Sequence, residues 1–206
     1  MVWEYLGIIK RLAKTIQDSS DEKEMRQDVC VTIILAVTAA ETFLNLFFQI
    51  ATKKPEFAEH QQYILKSLNN RLSLEKKVKN WTMTVFNKPI DVTQGIGKNF
   101  DDLRQLRNSL MHFNSNETVR VDNVELHNWS DVTVYETLVG IQANDALVAV
   151  LELIQKVLEL SGLIGPRLKS EMLRWTGFPD VAMAHLIYWS TLDTTYAPAS
   201  PTTGPG

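Results

Sequence analysis

The segment LRQLRNSLMHF (103–113) brings two guanidiniums, an amide and an imidazole into a few helical turns. On a helix Arg104, Asn108 and His112 recur at four-residue intervals and share a face. Arg107 follows Arg104 by three, and its long side chain reaches the same volume of solvent. Leu103, Leu106 and Leu110 then face inward. This combination suits phosphate chemistry. Arginine binds a phosphodiester through two parallel hydrogen bonds, and histidine moves a proton near neutral pH. The alternative is an exposed helix whose histidine, near its C-terminus, is favourable to the helix dipole.

The other chemistry-bearing residues form weaker patterns. Lys76, Lys77 and Lys79, with Trp81 beside them, could hold RNA by charge and stacking, or could be a solvated helix face. His60, His127 and His185 could join His112 as metal ligands. No HxH, HxxxH or HExxH spacing exists, however, and one cysteine cannot build a structural zinc site, so no metal is expected. Cys30 lies in an apolar helix and reads as a core residue. GIGKN (95–99) lacks phosphate-loop spacing and a preceding parallel strand, and reads as a turn. Phe47, Phe48, Trp175 and Trp189 read as core or dimer contacts.

The elements that must position these groups are helical. Residues 3–17 place Trp3, Leu6, Ile9 (or Ile8), Leu12, Ala13 and Ile16 at helical spacing. DSSDEKE interrupts, with Asp21 or Ser20 as N-cap of a long helix over about 24–51. Its stretch 29–51 has the length of a membrane span. Against that, Thr38, Glu41, Asn45 and Gln49 form a polar stripe, and Glu41 would lie near the bilayer centre. A central bundle helix with one polar seam is the better reading, and no membrane partner is expected. KKPEF ends that helix, and 56–80 reads as a third. Residues 87–99 read as a loop, 99–112 as the helix carrying the Arg/His set, and 118–135 as a hairpin around Asp122-Asn123, with Val132 and Val134 as a further extended piece. Residues 142–161 form an amphipathic helix closed by Gly162. Pro166 opens a shorter one, and APASPTTGPG is a disordered tail on composition.

Composition sets the outer limits. The chain has 206 residues, 45% of them apolar and 22% charged, which fits a globular fold and excludes general disorder. A net charge of −3 excludes a whole-chain basic clamp on nucleic acid. Residues 53–107 nevertheless carry 11 basic against 6 acidic groups, while 108–206 carry 5 against 11. One basic face on an acidic protein follows. A single cysteine, and an N-terminus whose positive charges come after its apolar stretch, point to a reducing, cytoplasmic setting. The domains expected are a helical unit over 1–165, a helical extension over 166–195 and a tail over 196–206.

Arg107-Asn108-Ser-Leu-Met-His112, together with AVTAAETFLNLFF (36–48) upstream, resembles the signature of HEPN domains. The resemblance covers about residues 1–162. It implies an all-α, mostly dimeric bundle of about five main helices with a small β-hairpin insert. It also implies a metal-independent endoribonuclease of toxin–antitoxin or antiviral systems that needs no cofactor and answers to an antitoxin or other regulatory protein. Arg107 and His112 would occupy the two active-site positions and Asn108 the accompanying polar one, facing a second copy across a composite cleft. Glu41 and Asn45 match the family's central helix. Some HEPN domains are instead catalytically silent dimerisation or interaction modules. Where one branch has a tyrosine modified by a nucleotidyltransferase antitoxin, two residues after the histidine, this chain has Asn114, so that mode of control has no acceptor. A carboxylate at position 41 needs a partner, and Arg107, failing that Arg104, is the expected one.

Overall fold

A computed structural model describes residues 1–111, 118–121, 124–127 and 134–184, and the class is all-α. Helix α1 (Val2–Asp18) turns Val2, Leu6, Ile9, Ala13 and Ile16 inward at alternating steps of four and three. Asp21 caps α2 (Glu22–Ala51), its Oδ1 accepting from the backbone N–H groups of Lys23 at 2.8 Å and Glu24 at 3.2 Å. Helix α2 packs along α1 on one side and against α7 (Ile141–Leu160) on another, and these two apolar helices supply most of the core. Phe43, Leu44, Phe48, Val150, Leu151, Ile154 and Val157 are fully buried there. Each such side chain contributes about 1.5–3 kcal/mol of burial.

By length and composition α2 could cross a membrane, but 50% of its apolar window is buried inside this structure. Thr38, Glu41, Asn45 and Gln49 form its half-buried polar seam, as their spacing predicts.

The expected third helix is broken. A 3-10 turn (Pro55–His60) leads into α3 (Gln61–Asn69), and Arg71 then adopts φ 52° before the chain restarts at α4 (Leu74–Lys76). Two consecutive asparagines, poor helix formers, mark that break. From α4 the backbone passes through a π-helical segment, Lys77–Trp81, into α5 (Thr82–Phe86), which Asn87 ends in the left-handed conformation. The loop expected over 87–99 is shorter, because Gly95 to Gly97 already form the first turn of α6 (Gly95–Met111). GIGKN is therefore the start of a helix rather than a turn. Gly97 is required there: a Cβ would lie 2.0 Å from the Asp91 carbonyl oxygen.

Two segments, β1 (Thr118–Val121) and β2 (Val124–His127), pair antiparallel with Val121 opposite Val124; the turn expected at Asp122-Asn123 lies outside the described residues. Val134 opens a 3-10 turn (Val134–Thr137) rather than an extended piece. After α7, Gly162 at φ 91° donates to the Glu159 carbonyl and Leu163 to that of Leu158, closing the helix end. Helix α8 (Gly165–Thr176) then packs on α7 and α1. Its Met172 and the following Phe178 and Ala184 are buried in the same core as α2 and α7. The expected tail lies outside the described residues.

Candidate functional site

Helix α6 carries the Arg/His set, and its phase decides what each member can do. Phe100 and Leu103 are buried, with Leu106 and Leu110 half-buried against the core. Arg104, expected to project freely, is a strut instead. Its Nε donates to Asp101 Oδ1 at 2.7 Å, and its guanidinium lies 3.6 Å from Glu75 of α4. Only 18% of its side chain is exposed. Asp101 feels opposing influences. Burial pushes its carboxyl up, but hydrogen bonds from Arg104 and Gln105, with the charges of Arg104 and Lys98, outweigh it and hold the group below the usual carboxylate range.

Arg107 is different. It is half-buried, its Nε is shielded from solvent without a hydrogen-bond partner, and no carboxylate among the described residues pairs with it. A buried guanidinium N–H without an acceptor is costly to leave unmade, and an oxyanion is what it would bind best. Asn108 follows on the same half-buried surface, with no side-chain hydrogen bond to another described residue. His112 lies outside the described residues, one position past the last residue of α6.

The carboxylate on the seam takes a partner other than the expected one. Glu41 Oε1 accepts from Lys77 Nζ at 2.6 Å, so neither Arg107 nor Arg104 is its counter-ion. Lys77, the first residue of the π-helical segment, lies on the inward face beside Leu74 and Trp81 with 5% of its side chain exposed, against 39% for Glu41. Lys77 also lies 5.7 Å from the Trp81 ring centroid. Asn45, one turn after Glu41, keeps its Oδ1 buried without a partner, as Trp81 does its Nε1.

These placements correct the expected RNA-holding run. Lys77 is buried and ion-paired, and Trp81 is fully buried against Phe48 with ring centroids 5.4 Å apart, so it offers no stacking platform. Lys76 and Lys79 remain exposed. The spacing held a usable signal for this split, since Lys77 stands three after Leu74 and four before Trp81, on their inward face. Asp101 and Glu75 were not anticipated, although Asp101 precedes Arg104 by the three residues that favour a helical ion pair.

No group of three or more His, Cys, Asp or Glu able to hold a metal occurs among the described residues. Cys30 is half-buried on α2, and burial pushes its thiol up, away from the thiolate that a nucleophile needs. Phe47 and Phe48 are buried, and Trp175 stacks edge-on against Phe43 at 5.2 Å, as core residues do. No family model, curated protein or solved structure matches this chain.

Proposed function

We propose that the chain is a metal-independent endoribonuclease of the HEPN type, acting as a cytoplasmic homodimer in a toxin–antitoxin or antiviral setting. In this reading the helical core with its hairpin insert is a HEPN-like bundle. The observation that carries the reading is the unengaged Arg107. The other two cations of α6, Lys98 and Arg104, have acidic partners, and this one, directly before Asn108 and five before His112, has none among the described residues.

The chemistry is that of RNA alone. The 2′-OH attacks the adjacent phosphorus as His112 removes its proton, the 5′-oxygen leaves with a proton returned by an imidazole, and Arg107 stabilises the charge gathering on the phosphorane. A 2′,3′-cyclic phosphate and a 5′-OH result. Asn108 orients, Arg104 and Glu41 support the helices, and Lys76 and Lys79 remain available to the phosphate backbone. The test is cleavage of a varied RNA pool in EDTA. Arg107→Ala and His112→Ala should each lower the rate by about 10²-fold or more with the circular dichroism unchanged. A 2′-deoxy substitution at the scissile nucleotide should block it.

A second reading, a catalytically silent helical interaction module, draws on one observation. Trp3, Leu46, Ile50 and Leu173 are exposed apolar residues, three of them on α1 and α2 beside a cavity of about 180 Å³ that Trp175 also lines. Intact RNA after exposure to the purified protein would favour it.

A further inference from the structure

The start of α1, the end of α2 and the end of α8 meet around a cavity of about 180 Å³, with Trp3, Leu46, Ile50, Arg174 and Trp175 in its lining. Trp3 is 56% exposed and Ile50 50%. Trp175 is held edge-on against Phe43 at 5.2 Å and Phe47 at 6.3 Å, so one wall of the cavity belongs to the core. An apolar cavity of about 150 Å³ holds a benzene ring, so this one has room for a single aromatic side chain. Exposed apolar groups gathered around such an opening mark a surface that something covers.

We propose that the chain's own C-terminal segment covers it, Leu186-Ile187-Tyr188-Trp189 lying over this face with the ring of Tyr188 or Trp189 in the cavity. Composition, position and tether argue for this occupant. Residues 185–206, outside the described part, open with the apolar and aromatic run HLIYWSTL and contain no lysine or arginine that would meet Arg174. The run begins directly after Ala184, which is buried in the same core as Leu6 of α1 and Phe47 of α2. Just before it, the Phe178 ring centroid lies 5.9 Å from Lys10 Nζ, so the chain leaves α8 along α1. Trp3 precedes Lys10 on that helix by about 10 Å at the helical rise per residue. Extended chain from Ala184 to Trp189 spans up to about 17 Å, enough to reach it. The tether also supplies an effective concentration on the order of 1 mM, which a second copy at micromolar concentration lacks. A partner protein using this face, as the interaction-module reading has it, must first displace the segment. The nuclease reading is independent of it.

The experiment uses the full chain with Cys30→Ser and Thr191→Cys, a nitroxide on the new thiol, and isotope enrichment to follow the tryptophan indole N–H resonances. The expected result is loss of the Trp3 and Trp175 signals, recovered on reducing the nitroxide. Ile50→Glu should restore them with the nitroxide intact. Val31→Glu, an equal change at an exposed apolar position near the other end of α2, should not. Tyr188→Ala combined with Trp189→Ala leaves every described residue in place and should restore them as well, which keeps the test decisive if Ile50→Glu disturbs the fold. Signals that survive beside the nitroxide overturn the proposal, as does loss that persists in the Tyr188/Trp189 variant. So does equal loss when labelled chain without enrichment is mixed with enriched chain without label, because the occupant is then a second copy.

Discussion

Glu41 and Lys77 show how unequal the two ends of one ion pair can be. The ammonium is nearly enclosed, while the carboxylate keeps 39% of its side chain in solvent. Removing Glu41 leaves a charge buried without its partner, whereas removing the charge of Lys77 leaves a carboxylate that water can still reach. Glu41→Gln should therefore destabilise by about 2–3 kcal/mol, below the range for a fully buried pair because solvent reaches one end. Lys77→Met, which keeps the packed stem, should cost less than about 1 kcal/mol. Urea denaturation measures both, and equal losses would contradict the asymmetry. Asp101 adds a pH dependence. Its folded-state carboxyl titrates below the usual range, so the stability it contributes is present above that range and is lost as pH falls through the folded value. Asp101→Asn should open a gap in urea midpoint at neutral pH that closes in acid. A gap constant from neutral to acid pH would show that the charge is not the cause.

At the scale of elements, α6 is held at its beginning by the contact between Gly97 and the Asp91 carbonyl. Gly97→Ala should cost about 1–3 kcal/mol, since backbone rather than a pliable side chain must yield. Gly7, mid-helix in α1 with open space where a Cβ would go, is the counterpart, and Gly7→Ala should gain about 0.5–1 kcal/mol. Thermal melts of the two variants should move in opposite directions. The same contrast explains what was readable beforehand. Helices α1, α2 and α7 repeat apolar residues every three or four positions over many turns, and that period survives any tertiary context. The start of α6 was not readable, because two glycines mimic a turn until a packed carbonyl makes one of them necessary. The π-helical segment was equally hidden, since it depends on how α4 and α5 meet α2 rather than on local preference. Which lysine of the run turns inward was, by contrast, signalled by the spacing of Lys77 to Leu74 and Trp81. Consequently the helix that carries Arg107 and Asn108 could be read from spacing, while their partial burial and the partners of Glu41 and Arg104 could not.

For the molecule as a whole, the proposed chemistry requires two copies, because one Arg107 and one His112 form half of a composite cleft. Exposed apolar residues at the C-terminus of α6 and the start of α7 offer apolar area for this. Met111 ends α6, Val139 lies two residues before α7 and Ile141 opens it, and all three are exposed although α6 packs along α7. Exposed apolar side chains on an otherwise charged surface favour association. The chain should therefore run as a dimer at micromolar concentration in light scattering. Val139→Glu combined with Ile141→Glu should shift it to monomer, since burying two carboxylates without partners at an interface is costly. Cleavage should fall with dimer content in that variant, and in the unaltered protein it should fall faster than linearly as the chain is diluted. Arg107 is untouched by these changes, so loss of activity would trace to the missing partner copy. If Ile50→Glu splits the dimer while the α7 variant does not, the copies meet through α2, and a cleft shared across α6 would be abandoned.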